Sequence, residues 1–257
     1  MFKETVPKIE SDNKYGKDIE MKVIFVRHGE KDKVGESLSP SGKEQAVKFG
    51  ETLDKKDAIK GYTSPIQRAL ETVENIIESA PHDKKLNLRK KISLKIPPFS
   101  EEQTLKFRQS VKDGKDPAEW YLRYRDQRPD AETAAPREVA EGLAYMLDHY
   151  CKMCDKLYSG SKVDLINGTH SVVPETLLQE ILIREVDGKK VVGFENVSEI
   201  GGSLKYVEPI EFSIKTDNLG QRKIEVNFRG QRYDIDEERL TELVESYKEK
   251  RRAEKKE

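Results

Sequence analysis

Apolar residues in this chain fall into short segments separated by long polar stretches. Met21–Val26 is an apolar run of strand length, typical of a buried central strand. Residues 58–63 and 163–167 read as two further short strands. Helical spacing of apolar residues predicts a helix after the strand at 21–26 and another after the strand at 58–63. The first is opened by a capping box at Ser41–Glu44 and the second by Ser64–Gln67.

The rest of the chain continues this alternation of strands and helices. Further strands are predicted at 86–96, 204–214 and 223–228, and further helices at 136–158, 172–184 and 236–251. This order favours an α/β fold, a three-layer α/β/α sandwich with a mostly parallel sheet and helices on both faces. In such folds, ligands bind outside the carboxyl ends of the strands.

Three segments stand apart from the pattern. Residues 1–20 are a charged, polar leader, and 216–257 form a C-terminal extension of strand and helix. Residues 97–135 are charged, poor in aliphatic side chains and broken at Asp113-Gly114 and Asp116-Pro117. We therefore predict one catalytic domain over 21–215, with 97–135 as a helical excursion outside the sheet.

Composition narrows the classes of function. The 257 residues are 35% hydrophobic and 37% charged, with a net charge of −1. This balance gives no general case for binding nucleic acid or membranes, so any positive charge for an anionic substrate must be local. Cys151 and Cys154 lie in a predicted helix and suggest no disulfide framework. Without a signal-peptide pattern, the expected location is the cytoplasm.

Unusual residues stand at three strand-to-helix junctions. Arg27 and His28 follow the first strand, Arg68 lies one turn beyond the second, and His170 follows the strand at 163–167. If these strands are parallel neighbours, the four side chains meet at one rim of the sheet. Arginine forks match phosphate oxygens, and a helix start near Val172 adds backbone N–H groups. The sequence therefore predicts a pocket for a dianionic phosphoryl group.

These junctions resemble the motifs of one known family. Arg27-His28-Gly29-Glu30 resembles the R-H-G signature of the histidine phosphatase superfamily, also called phosphoglycerate-mutase-like. Three more pieces resemble its later segments in the same order: 38–46, the second arginine motif at 64–72, and Thr169-His170-Ser171. The resemblance covers about residues 21–185, and it implies that family's fold.

The resemblance implies a set of roles for these residues. His28 would be the catalytic nucleophile that becomes a phosphohistidine, while Arg27, Arg68 and His170 would hold the phosphoryl oxygens. The reaction would be two in-line displacements that need no metal and no other cofactor. A neutral imidazole is a competent nucleophile near pH 7, provided that a partner on its other nitrogen fixes the tautomer. Gly29 would allow a close backbone approach there.

The proton donor to the leaving oxygen is less sharply indicated. The family places a carboxylate after the strand that here ends near Ile96, which points to Glu101 or Glu102, with Glu101 marginally preferred. Glu175, five residues after His170, is another candidate. Glu30 is a fourth, although ordering of its loop is the better interpretation.

Three functions remain in competition at this point. The first is a phosphomonoester phosphatase acting on a small phosphorylated substrate, with a phosphoprotein as an alternative substrate. The second is a phosphoglycerate mutase, but Arg27–Glu30 continues as Lys31-Asp32-Lys33-Val34 without the Ser, Trp and Asn typical of that branch. The third is a non-catalytic module that binds phosphorylated ligands.

Overall fold

The computed structural model describes residues 14–254, so residues 1–13 of the predicted leader lie outside it. Described residues of the leader already pair with the body of the protein, since Tyr15 bridges to Tyr158. The strands are β1 Glu20–Arg27, β2 Ala58–Thr63, β3 Lys84–Lys90, β4 Lys162–Thr169, β5 Leu182–Val186, β6 Lys189–Val192, β7 Pro209–Thr216, β8 Arg222–Phe228 and β9 Gln231–Ile235. The α-helices are α1 Pro40–Glu51, α2 Gln67–Ser79, α3 Glu101–Lys112, α4 Pro117–Leu122, α5 Pro136–Cys154, α6 Val173–Ile181 and α7 Glu237–Glu254.

Within residues 14–254 the strands form one sheet in the order β3-β2-β4-β1-β7-β8-β9-β5-β6. Strands β3, β2, β4 and β1 are parallel, as the alternation with helices predicts. From β7 to β6 every pairing is antiparallel, so the expectation of a mostly parallel sheet holds for only one half. The reason is that tight connections, not crossover helices, join β5 to β6, β7 to β8 and β8 to β9.

Strand β1 explains why helices cover both faces of the sheet. Its side chains alternate, so Met21, Val23 and Phe25 join one apolar cluster and Ile24 and Val26 join the other. The first cluster includes residues of α5, α6 and α7, and the second includes residues of α1 and α2. The three-layer α/β/α architecture follows from this alternation, and the predicted fold class is confirmed.

The C-terminal segment joins the same core. Strand β8 pairs with β7, and its Ile224, Val226 and Phe228 are buried in the larger apolar cluster. Helix α7 adds Leu240, Leu243 and Val244 to that cluster. The excursion at 97–135 folds into α3 and α4 outside the sheet, and Tyr121 and Leu122 anchor it in the core.

Two helix starts differ from the prediction. Helix α1 begins at Pro40 and its N-cap is Ser39, whose hydroxyl accepts from Gly42 N at 3.0 Å, so the capping box assigned to Ser41 was wrong. Helix α2 begins at Gln67 with Ile66 as N-cap. Ser64 is therefore not the N-cap of α2, although its Oγ accepts from Ile66 N at 3.3 Å.

In the described part of the chain, no helix has both the length and the apolar character needed to cross a lipid bilayer. The cytoplasmic location stays a prediction from the sequence.

Candidate active site

The carboxyl ends of three adjacent parallel strands define the site. Strand β4 lies between β1 and β2, and Arg27 pairs in register with Thr169 while Thr63 pairs with Gly168. The ladder continues one residue further on each side, because His28 N donates to Thr169 O at 2.9 Å and Ser64 N to Gly168 O at 2.8 Å. This registry brings the His28 and His170 rings together, with 5.1 Å between their centroids.

The contacts of His28 fix its tautomer. Arg68 Nε lies 3.0 Å from His28 Nε2, and a guanidinium can only donate, so Nε2 carries a lone pair. The proton is then on Nδ1, which donates to Gly29 O at 2.7 Å. Burial, helped by the charges of Arg68, Arg27 and Lys31, lowers the pKa of His28 to about 3. At neutral pH this ring is uncharged, with its free lone pair directed at Arg68.

Gly29 lets helix α1 pack directly against the loop that holds His28. A Cβ on Gly29 would lie 2.6 Å from Gly42 O, and a Cβ on Gly42 would lie 2.1 Å from Glu30 O. Both approaches are to backbone atoms, which have no side-chain freedom with which to relieve a clash. The Gly29 backbone is further held by its N–H, which donates to Thr72 Oγ1 at 3.0 Å.

His170 is oriented by residues of the neighbouring strand end. Its Nε2 lies 2.9 Å from Ser64 Oγ, and its Nδ1 lies 3.5 Å from Arg68 Nη2. Because Arg68 can only donate, the proton of a neutral His170 is on Nε2 and is donated to Ser64. Burial, helped by His28, Arg68, Arg27 and Lys95, lowers the pKa of His170 to about 2. Ser64 thus orients the second histidine.

Arg27 has donor capacity that the protein does not use. Its Nη1 donates to Leu204 O at 2.5 Å, whereas its Nε is buried and has no partner among residues 14–254. Its guanidinium carbon lies 4.4 Å from the centroid of the Tyr206 ring. Burial lowers the pKa of Arg27 and of Arg68. A buried, unpaired donor is costly unless a ligand satisfies it.

The electrostatic character of the site is that of an anion pocket. Arg27 and Arg68 are close enough to depress the pKa of both histidines, as are Lys31 for His28 and Lys95 for His170. In the described part of the chain, no carboxylate forms an ion pair or hydrogen bond with Arg27 or Arg68. A dianion would therefore relieve like-charge repulsion as it satisfied the unused donors.

The carboxylates considered as proton donors lie elsewhere. Glu101 and Glu102 are exposed in the first turn of α3, where Glu102 pairs with Lys106, and neither contacts the histidines or arginines of the site. Glu30 contributes its backbone: its N–H donates to Gln45 Oε1 and its carbonyl accepts from Ser39 N. That arrangement orders the loop. The assignment of Glu101 as the donor stays a prediction.

Glu175 is fully buried beside Arg27. Its Oε1 accepts from Leu204 N at 2.9 Å, and Leu204 O in turn accepts from Arg27. Burial raises the pKa of Glu175 to about 7, although the backbone donors and the charge of Arg27 oppose that rise. Glu175 has no exposed surface from which to reach a substrate. It helps to position Arg27 indirectly, because it holds the Leu204 backbone whose carbonyl accepts from Arg27.

Sequence reasoning missed the loop at 201–208, which brings Leu204 and Tyr206 to the site. The apolar residues of 204–214 predicted a continuous strand, but β7 begins only at Pro209. Tyr206 stacks on Arg27, and its ring centroid lies 5.9 Å from that of His28. The Gly201-Gly202 pair was the available signal for a loop, because both residues adopt positive φ.

A neutral histidine with a fixed lone pair, a second histidine and two arginines meet at the strand ends of this α/β protein. Comparison with known families agrees: the sequence profile of the histidine phosphatase superfamily (branch 1) matches residues 23–198. The chain belongs to the histidine phosphatase superfamily. A search of curated protein sequences finds no significant match.

Solved structures share this fold. One described as mycobacterial hydrolase 1 superposes with a TM-score of 0.57 at 18% identity, over 82% of this chain and 99% of the other. A mycobacterial glucosyl-3-phosphoglycerate phosphatase in complex with inorganic phosphate gives a TM-score of 0.54 at 15% identity, over 82% and 97%. At these identities the likeness concerns the fold, and both relatives are matched over nearly their whole length.

Proposed function

We propose that this protein is a metal-independent phosphatase that hydrolyses a phosphomonoester through a phosphohistidine on His28. The observation that carries the proposal is the paired contact of that ring, with Nδ1–H donating to Gly29 O and Nε2 accepting from Arg68. This pair leaves the lone pair on the nitrogen that faces the cationic pocket. The solved phosphatase relative adds support at the level of the fold.

The entry of substrate would free the nucleophile. Arg68 Nε donates to His28 Nε2 at 3.0 Å. A phosphoryl dianion offers the guanidinium stronger, charge-assisted bonds, so Arg68 would turn from the imidazole to the phosphoryl oxygens. The freed Nε2 is then placed to attack phosphorus in line. Arg27 Nε, which is buried without a partner, would bind a second oxygen.

The first displacement forms a bond from Nε2 to phosphorus and breaks the bond from phosphorus to the ester oxygen. Charge spreads over the three equatorial oxygens in this loose transition state, and Arg27, Arg68 and His170 would stabilise it there. In the second displacement, water attacks phosphorus and the bond to His28 breaks. Glu101 remains the sequence-predicted proton donor and acceptor, with Glu102 and Glu175 as alternatives.

The partner we propose is a small phosphorylated molecule, with a phosphoprotein as the alternative substrate. Nucleic acid and membranes are not proposed as partners, because the net charge of the chain is −1.

The test is hydrolysis of a panel of phosphorylated metabolites and phosphopeptides in the presence of EDTA. We expect release of inorganic phosphate by the unsubstituted protein and none by His28→Ala. His149→Ala is the matched control, because His149 is an exposed histidine on α5 and should leave turnover unchanged. Binding of phosphate without turnover would instead identify a binding module, and exchange of phosphate between glycerate positions would identify a mutase.

A further inference from the structure

The proposed reaction needs a proton at the leaving oxygen, and within residues 14–254 no carboxylate forms a hydrogen bond or ion pair with His28, Arg68 or His170. Glu101 and Glu102 are exposed on α3, and Glu175 is enclosed behind Arg27 with one oxygen bonded to Leu204 N. An alkoxide is a poor leaving group, so its departure without a proton donor would be slow. The question is which donor at the pocket can supply the proton.

Tyr206 is at the pocket and is accessible. Its ring covers the Arg27 guanidinium at 4.4 Å and lies 5.9 Å from the His28 ring, while 38% of the residue is exposed. Its hydroxyl has no hydrogen-bond partner within residues 14–254. A negative charge on its oxygen would be felt by both arginines, where it opposes the lowering of their pKa values by burial. The hydroxyl therefore lies in the field of both guanidinium groups.

The loop that carries Tyr206 is held in place from three sides. Arg229 pairs with Glu208 at 2.8 Å and donates to the carbonyls of Gly202 and Ser203, both at 3.1 Å. Asp116 accepts from Ser203 N at 2.8 Å. On the side that faces Arg27, Leu204 N donates to Glu175 Oε1 at 2.9 Å.

The position of Tyr206 is also fixed by its neighbour, because Val207 N donates to Arg27 O at 3.0 Å. Such support favours catalysis, because a hydroxyl that is already in position costs less reorganisation free energy as the transition state forms. Asp116 belongs to the excursion at 97–135, so that segment helps to build the site from outside the sheet.

We propose that Tyr206 is the catalytic acid and base of this site, a proposal that rests on the proposed function. As Nε2 of His28 bonds to phosphorus, the bond from phosphorus to the ester oxygen breaks and the phenolic proton passes to that oxygen. The product leaves as a neutral alcohol. The phenolate left behind lies against Arg27, whose guanidinium carbon is 4.4 Å from the centroid of the Tyr206 ring.

The second step returns the proton. The phenolate accepts a proton from water as the water oxygen bonds to phosphorus and the bond from phosphorus to His28 breaks. Inorganic phosphate leaves, and both Tyr206 and His28 return to their starting protonation states. The two steps require no oxidant, reductant or metal.

The test uses Tyr206→Phe, which keeps the ring on Arg27 and removes only the hydroxyl. The value of kcat/KM reports the first displacement, so it is measured with an alkyl phosphate and with p-nitrophenyl phosphate. For the alkyl phosphate we expect a loss of about 10²–10⁴-fold, the usual contribution of acid–base catalysis. For p-nitrophenyl phosphate we expect a much smaller loss, because nitrophenolate departs without a proton.

Two further variants complete the design. Tyr158→Phe removes the hydroxyl of an exposed tyrosine that precedes β4, at the opposite end of the sheet, and should leave both substrates unaffected. Glu101→Gln tests the carboxylate that the sequence predicts as donor: if Tyr206 is the donor, kcat/KM does not fall selectively for the alkyl phosphate in this variant. Equal losses for both substrates in Tyr206→Phe, no loss at all, or the selective loss appearing in Glu101→Gln would overturn the assignment of Tyr206. In those cases the proposed function would still stand if the protein turns over substrate and His28 becomes labelled. Absence of turnover by the unsubstituted protein would overturn both proposals.

Discussion

The two ends of the parallel strands both gather ionisable side chains, but they do so in opposite ways. At the amino end, Asp164 on β4 accepts from Lys56 at 2.8 Å and contacts His82 Nε2 at 3.0 Å. At the carboxyl end, Arg27, Arg68 and two histidines gather without any carboxylate partner in the described residues. The first cluster is closed by its own counter-charges, and the second is open to a ligand.

We interpret the first cluster as structural, and we propose that the second is functional. Lys56, His82 and Asp164 are all buried, so each would be costly without the others. The arginines of the other end raise each other's electrostatic free energy in the absence of an anion. We therefore expect substitutions at the amino end to change stability and substitutions at the carboxyl end to change activity.

The largest expected effect is on catalysis. Arg68→Ala should lower kcat/KM by about 10³–10⁵-fold, because it removes a cation that stabilises charge in the phosphoryl-transfer transition state. The free energy of unfolding should stay the same or rise, since a like charge is lost. Steady-state kinetics and urea unfolding on one preparation check both parts. A variant that is less stable but fully active would break the comparison.

The converse experiment is at the amino end. Asp164→Asn leaves the buried Lys56 with only the partly exposed carboxylate of Glu20, 3.4 Å away, and should lower the free energy of unfolding by about 3 kcal/mol. The folded fraction should keep its kcat. The control is Asp54→Asn, which removes an exposed partner of Lys22 and should cost no more than about 1 kcal/mol. Equal losses in the two variants would show that the buried cluster has no special role.

Stabilisation by bound inorganic phosphate should distinguish variants at the two ends of the parallel strands. At inorganic phosphate 100-fold above its Kd, the unsubstituted protein should gain about 2.7 kcal/mol of stability through binding to the folded state alone. Arg68→Ala should lose most of that gain, while Asp164→Asn should keep it in full despite its lower starting stability. Thermal melts with sulfate-free and phosphate-containing buffers measure the increments. An equal gain in all three proteins would mean that phosphate binds elsewhere.

The smallest effect concerns pH. Burial lowers the pKa of His28 from 6.5 to about 3 and that of His170 to about 2, so the unfolded chain binds protons that the folded protein does not. The stabilisation is complete above pH 6.5 and is lost as the pH falls toward 3. At pH 5.5 each histidine should account for about 1.4 kcal/mol. Between pH 7.5 and 5.5, urea unfolding should show a smaller fall in the free energy of unfolding for His170→Asn than for the unsubstituted protein. An equal fall in both proteins would show that His170 is not a source of the pH dependence.

The sequence was most informative where chemistry and strand ends coincide. Arg27, His28, Arg68 and His170 could be placed at one rim because β1, β4 and β2 are parallel neighbours, and each residue follows an apolar run. The role of Ser64 was misread, because a serine before proline satisfies the rules for a helix cap equally well. Its contact with His170 depends on the pairing of β2 with β4, which local sequence does not encode.

The antiparallel half of the sheet was harder to predict. Strands β5, β6 and β9 are short and largely exposed, so they lack the apolar run that marks a buried strand. Tyr206 was missed for a different reason. Its place over Arg27 results from long-range contacts with Glu175, Asp116 and Arg229, and no spacing along the chain marks them.

The most direct test of the central claim is to find where the phosphoryl group goes. A 32P-labelled phosphomonoester is mixed with the protein, turnover is stopped with denaturant within the first cycle, and the labelled peptide is sequenced. The account predicts an acid-labile, alkali-stable label on His28, which is absent from His28→Ala. A label on any other residue, or turnover with no labelled protein at any time, would contradict it.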